Sequence, residues 1–345
     1  MVLWHLDTDP ISKSGIFFQR YNATAQPLGN PVLIKQMVNF EDNNPSIAAL
    51  DDGFIVVWQW EKKSIDPGTI LGQRFNNSGA KVGSEFTINK TKTKYQQHPK
   101  VAALADGGFV VTWTALGTGD EIYAQAYDKK GKKDGGELAV NTTKIKNQSY
   151  PTVAGLPEGG FVIAWQSVGQ TPQDPTHADI YGQLFDKTAK KKGAEFRINS
   201  VTTGDQLRPV AQRTATGFSV MWLSGLDQPS ELVMRRFNNA GQALAAKTTL
   251  GSPAFGTAAV ASFASGRSVV VWNSSPTIAG RILTPGGQSE TGQFPAAQTP
   301  SNNIHLGDPV VATLSGNKFV AIWERLVSGS DGGLRLQVLD IPPVQ

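Results

Sequence analysis

The chain has 345 residues, and 32 Lys and Arg against 28 Asp and Glu leave a formal net charge of +4. It has no cysteine, which excludes disulfides, thiolate metal sites and cysteine nucleophiles. No apolar run reaches the ~20 residues of a membrane helix, and the excess positive charge is too diffuse to argue for nucleic acid. No basic-then-apolar leader stands at the start, so no uncleaved signal peptide is expected.

Seven of the eight tryptophans end a short apolar run. In chain order the runs are MVLW, GFIVVW, GFVVTW, GFVIAW, GFSVMW, RSVVVW and KFVAIW, closing on Trp4, Trp58, Trp113, Trp165, Trp222, Trp272 and Trp323. The spacings are 54, 55, 52, 57, 50 and 51 residues, a period that must be read as a repeat. Each unit carries four strand-like segments. Around Trp165 these are PTVAGL, GFVIAWQS, DIYGQLFD and AEFRINS, divided by Gly, Pro, Asn and Asp turns. No segment keeps a 3.6-residue apolar period, so almost no helix is expected.

Four antiparallel strands, here a to d, repeated about every 40–50 residues predict an all-β β-propeller spanning residues 1–345 as one domain. Seven blades are expected, with six as the alternative. The first unit lacks strand a and the last lacks strand d, giving 7 b, 7 c, 6 a and 6 d. Strand b is apolar throughout, as for a strand covered on both faces. Strand c carries a small residue (Gly72, Ala124, Gly182, Gly280), expected to give a tryptophan ring room to lie. Beside it recurs a polar residue (Gln19, Gln73, Gln125, Gln183, Arg235, Arg281, Gln337), read as satisfying backbone groups. Asp52-Gly53, Asp106-Gly107-Gly108 and Glu158-Gly159-Gly160 mark a–b hairpins, and Asn76–Gly79 and Asp128–Gly131 mark c–d turns. A calcium loop needs several carboxylates where these turns offer one, so no cofactor is expected and calcium is only weakly supported.

The pieces DGGFVVTW, IYAQAYD, IYGQLFD and GAEFRINS resemble a repeat of large secreted bacterial surface proteins of the adhesin-like or hemolysin-type calcium-binding kind. The resemblance is strong over residues 45–240. It implies an extracellular or cell-surface bacterial protein that binds or builds something, with no catalytic residue to transfer. No glycine-aspartate nonapeptide array accompanies it.

Propeller geometry puts the short a–b and c–d turns on one face. The longer b–c loops (5–15, 60–68, 167–178, 324–332) and d–a loops (38–44, 89–98, 141–150, 199–208) fall on the other, where binding is expected. The candidate ligand-binding residues are Trp60, the one tryptophan outside the repeat, with Tyr95, His98, Tyr150 and Arg208 in d–a loops. Aromatic and polar groups on a rim suit a glycan. Lysines gather in two c–d hairpins (129, 130, 132, 133 and 187, 190, 191, 192) and in d–a loops (90, 92, 94, 144, 146). They read as solvated turns, or as contacts for an acidic polysaccharide. Six Asn-x-Ser/Thr sequons, at Asn22, Asn76, Asn89, Asn141, Asn147 and Asn273, include several expected to be accessible in turns.

No HExxH, Walker A or GxSxG motif occurs. His5, His98, His177 and His305 fall in four loops, and the pairing of the loop carboxylates Glu61, Asp66, Asp174, Asp205 and Asp331 cannot be read from sequence. The sequence is therefore read as a non-catalytic lectin- or adhesin-like module, with glycan or polysaccharide, or a surface protein, as partner and without membrane insertion. The alternative is a structural subunit of an extracellular assembly, in which open strand edges pair with other copies.

Overall fold

A computed structural model describes the chain except residues 7–13, 23, 37–43, 62–67, 92–94, 145, 172–174, 226–230, 254–255, 257, 299–303, 315–316, 328–329 and 342–345. The side chains of residues 5–6, 298, 304–305, 325–327 and 330–332 are likewise not described. Much of the long b–c and d–a loops thus lies outside the described residues, as do Asp66, Lys92, Lys94 and Asp174 and the side chains of His5, His305 and Asp331.

The first sheet has three strands, β1 (Val2–Leu6), β2 (Gly15–Gln19) and β3 (Val32–Gln36). The second is β4 (Ser46–Leu50), β5 (Gly53–Trp60), β6 (Thr69–Asn76) and β7 (Lys81–Thr87). The third is β8 (Tyr95–Ala103), β9 (Phe109–Leu116), β10 (Glu121–Tyr127) and β11 (Lys133–Ala139). The fourth is β12 (Gln148–Gly155), β13 (Phe161–Val168), β14 (Ala178–Phe185) and β15 (Lys191–Arg197). The fifth is β16 (Asp205–Thr214), β17 (Gly217–Gly225), β18 (Glu231–Asn238) and β19 (Thr248–Gly251). The sixth is β20 (Ala258–Ser262), β21 (Ser268–Ser274), β22 (Thr277–Leu283) and β23 (Phe294–Gln298). In the seventh, β24 (Ile304–Leu306) and β25 (Val310–Thr313) both pair with β26 (Lys318–Val327), which pairs with β27 (Ser330–Asp340).

These sheets are the blades of an all-β seven-bladed propeller, and no helix occurs among the described residues. The first blade has no strand a and the last no strand d, as the sequence predicts. In the last, strand a is broken around Pro309. The chain divides into two compact units, residues 1–170 with 181–196, and residues 171–180 with 197–345. Strands β4, β8 and β12 are neighbours in the first unit, and β16, β20 and β25 in the second, so the a strands of successive blades lie side by side.

The repeat tryptophans organise the core. Trp58, Trp113, Trp165, Trp222 and Trp272 are almost wholly buried. Trp165 packs with Val110 and Ile122 of the third sheet, Trp113 with Ile55 and Val57 of the second, and Trp272 with Met221 of the fifth. Each of these rings therefore ties its blade to the preceding one. Strand b lies between blades, so β5 is buried from Gly53 to Gln59.

The small residue of strand c makes room for a different ring than expected. A Cβ on Gly72 would meet Phe86 at 3.0 Å, and one on Gly280 would meet Phe294 at 2.5 Å. A strand-d phenylalanine, not a tryptophan, covers the glycine. The neighbouring glutamine is structural: Gln73 Nε2 donates to the carbonyls of Arg74, Val82 and Gly83 at 2.9, 3.3 and 3.2 Å, across the bulge between strands c and d. Gln19, Gln125 and Gln183 repeat the pattern.

Trp165→Ala is expected to cost about 3–5 kcal/mol in chemical denaturation, as for a large buried aromatic. Half-buried Trp60, replaced by Ala, should cost much less. Equal losses would mean that the two tryptophans do not differ in kind.

Candidate functional site

The site is built on a defect repeated in strand a. The pairing of β8 with β9 shifts register between Gln97 and Lys100, that of β12 with β13 between Ser149 and Thr152, and that of β16 with β17 between Leu207 and Val210. Each shift is a β-bulge, and its residue is left-handed: His98 at φ 53°, Tyr150 at 50° and Arg208 at 53°. Asn44, before Pro45, is left-handed too, at 41°. Each of the four precedes a proline, which disfavours helical backbone before it. Histidine and asparagine tolerate this region better than most residues, whereas tyrosine and arginine occupy it at a cost of roughly 1–3 kcal/mol.

A buried hydrogen bond fixes each bulge from the chain side that precedes it. Trp113 Nε1 donates to Gln96 Oε1 at 2.7 Å, Trp165 to Gln148 at 2.8 Å and Trp222 to Gln206 at 2.7 Å. The glutamine stands two residues before the left-handed residue in every case. Its sequence signal is a repeated Gln-x-x-Pro at 96–99, 148–151 and 206–209, which the tryptophan spacing by itself does not reveal. A second repeated lock comes from Asn89, Asn141 and Asn199. Their Oδ1 atoms accept from the backbone N–H of Ile70, Ile122 and Ile180, each at 2.8 Å. Their amides donate to the carbonyls of Thr91, Thr143 and Val201. Of the sequons, Asn89, Asn141 and Asn273 are buried with engaged side chains, whereas Asn147 is exposed.

In the first unit the bulges bring His98 and Tyr150 together, with ring centroids 4.4 Å apart and planes 31° from parallel. His98 is half-buried and Tyr150 is exposed. Tyr95 lies at the start of the same strand, paired with Leu116 and half-buried. Trp60 stands apart, packed on the cluster around Trp58, with Lys35 Nζ 4.4 Å above its ring. Arg208 holds the equivalent bulge in the second unit and is exposed.

Charged groups of strands c and d are fixed by the loops that join the blades. Glu121 accepts from Lys144 Nζ at 2.8 Å and from the Tyr123 hydroxyl at 3.0 Å. Burial, and then the Glu121 carboxylate, push the Tyr123 phenol up to about 12. Glu137 takes the Lys90 N–H at 2.6 Å and the Thr91 hydroxyl at 2.7 Å, tying the third sheet to the loop leaving the second. Glu195 does the same for the next loop, accepting from the N–H of Thr142 and Thr143 and from the Thr143 hydroxyl and Gln170. Burial works to raise the Glu195 carboxyl, but hydrogen bonds from Thr143, Thr142 and Gln170 outweigh it and hold the group below its ordinary value. Of the loop carboxylates, Glu61 is buried, and Asp205 accepts from the Ala178 N–H at 2.9 Å. Among the described residues no three metal-ligating side chains converge. The Asp128 and Asp186 turns spend the carboxylate on backbone N–H groups of the turn itself. No described helix is long and apolar enough to cross a membrane.

No family model and no curated protein matches the sequence. Solved structures do match in fold. The polysaccharide lyase Uly1 superposes with a TM-score of 0.61 at 11% identity, covering 98% of this chain and 87% of its own. A protein of unknown function from Dyadobacter fermentans gives 0.58 at 12% identity, covering 87% and 94%. A GH93 α-L-arabinofuranosidase of Fusarium graminearum gives 0.54 at 11%, covering 86% and 92%. Two of these three propellers are enzymes named for work on glycans. The expectation of a non-catalytic binding or assembly module, drawn from missing sequence motifs, is corrected on this finding.

Two outcomes follow from this geometry. Arg208→Gly should be more stable than Arg208→Ala by about 1 kcal/mol in denaturant titration, because glycine carries no left-handed penalty. Equal stabilities would mean that the bulge relaxes in solution. Because Glu195 is depressed in the fold, its ionised form stabilises the protein above the unfolded carboxyl pKa. That contribution is lost as pH falls through the lower, folded value. Glu195→Gln should therefore flatten the acid-side fall in melting temperature, and an unchanged acid limb would remove Glu195 from the cause.

Proposed function

We propose that this chain is a glycan-active propeller enzyme that cleaves an acidic polysaccharide by β-elimination, with His98 and Tyr150 as its proton-transfer pair. The observation that carries the reading is the contact of the two rings at 4.4 Å, on neighbouring inner strands, with both residues in left-handed backbone. Strain of this kind persists where the surroundings hold a side chain for a task, and here the buried Gln–Trp bonds hold it.

Syn elimination, the course two adjoining side chains can serve, needs a base and an acid on one side of the sugar. The base takes the proton from the carbon beside the uronate carboxyl. The bond from the neighbouring carbon to the departing glycosidic oxygen breaks as the new C=C bond forms. The departing oxygen receives a proton, and no water is consumed. A neutral imidazole suits the first transfer and a phenol the second. The likeness to a polysaccharide lyase over 98% of this chain supports the class of reaction, while at 11% identity no residue is carried over from it. A polymeric substrate implies work outside the cell, and the resemblance of the repeats to those of secreted bacterial surface proteins supports the same location.

The test is incubation with polygalacturonate, alginate and hyaluronan, followed by ultraviolet absorbance of unsaturated uronate ends. His98→Ala and Tyr150→Phe should each lower kcat by about 10²–10⁴-fold with little change in melting temperature. New reducing ends without ultraviolet absorbance would replace elimination by hydrolysis. Full activity in Tyr150→Phe, or no product from any of the three polymers, would overturn the assignment.

A further inference from the structure

A cleft of about 350 Å³ opens between the fifth and sixth sheets, wholly within the second unit. It lies at the end of the strands that carries the short turns, whereas the Arg208 bulge lies near the start of β16. Its volume falls in the ~300–1,000 Å³ range of small-molecule sites. The buried side chains of Met234, Phe263 and Leu283 give it an apolar lining, and Arg213 and Arg236 give it charge.

Comparison with the second blade shows what such an arginine does when a carboxylate is within reach. In the second blade the equivalent strand-c arginine, Arg74, reaches both oxygens of Asp52 at 3.1 and 2.9 Å. Asp52 stands six residues before Trp58, and the residue six before Trp222 is Thr216. Arg236 accordingly pairs with no carboxylate among the described residues, and Nη1 donates to the Gly286 carbonyl. Its stem lies across Gly287, where φ is +79° and a Cβ would come within 2.4 Å of Arg236 Cδ. Burial lowers the guanidinium pKa, the mark of a cation partly stripped of water. A guanidinium has five N–H donors in a fixed fork matched to a carboxylate. At the same cleft the Thr214 hydroxyl is buried without a hydrogen-bond partner, and Gln212 donates to Ser262 at the rim.

An apolar wall, hydroxyl-bonding groups and an uncompensated cation together match a sugar ring bearing a carboxylate. We infer that this cleft binds a single uronate residue, its carboxylate on Arg236 and Arg213 and its ring against the apolar lining. The inference stands apart from the reaction assigned to His98 and Tyr150 and would hold for a chain with no lyase activity.

Isothermal titration of the full chain with sodium glucuronate, glucose and sodium sulfate tests it. Glucuronate should bind at one site that His98→Ala preserves and that Arg236→Ala weakens by ~10-fold or more, the scale of a lost charged hydrogen bond. Arg236→Lys, which keeps the charge and loses the fork, should weaken it less and serves if the alanine variant does not fold. Glucose should not bind. Absence of glucuronate binding, or affinity that Arg236→Ala leaves within about two-fold, would overturn the inference. So would loss only in His98→Ala, glucose binding as tightly as glucuronate, or sulfate binding as tightly, the last marking a site for a bare anion.

Discussion

A tryptophan buried between two sheets must give its indole N–H to an acceptor or forfeit a hydrogen bond in a place water cannot reach. In three blades that acceptor is a glutamine of strand a, at 2.7–2.8 Å. The bond does two things at once. It fixes the ring that ties one blade to the one before, and it pins the strand just ahead of the bulge. The left-handed residue is thus held between an immobile glutamine on one side and a proline on the other. Core packing and site geometry share one contact, so the part of strand a that presents His98 and Tyr150 cannot relax without disturbing the core.

The carboxylates and asparagines near the d–a loops work on the same principle at longer range. Glu137 and Glu195 each reach from strand d of one blade to the backbone of the preceding loop, and Asn89 and Asn141 close the same loops on the inside. Loop backbone that has no sheet to pair with is satisfied by side chains. The lysines follow a mixed rule. Lys133 donates to the Ile88 carbonyl at 2.9 Å and Lys144 pairs with Glu121, so these two basic residues are structural links, while other lysines of the c–d turns are exposed.

The second unit shows how a repeat diverges. Thr216 stands where the second blade has Asp52, so Arg236, which pairs with no carboxylate among the described residues, lines a cleft, whereas the equivalent arginine of the second blade is spent on Asp52. The propeller keeps its strand pairing because the backbone ladder does not depend on that ion pair. A binding feature can therefore arise at a blade boundary at little cost to the fold.

The sequence by itself determined the fold class and narrowed the blades to seven, with six as the alternative, because burial between sheets demands apolar strands and large rings at fixed intervals. The seven runs ending in tryptophan state that demand openly. It also determined the missing strands at the two ends and the structural role of the strand-c glutamines. Only the tertiary structure decided which residues meet. His98 and Tyr150 lie 52 residues apart in the chain; their equivalent positions group them on one face with Tyr95 and Arg208, but only the bulges on neighbouring strands bring these two rings into contact. The Gln-x-x-Pro repeat was visible, but its meaning depends on an indole 16–17 residues downstream. Periodicity records what each blade needs for burial, whereas a site depends on where departures from periodicity fall in space, and that is fixed only when the blades pack.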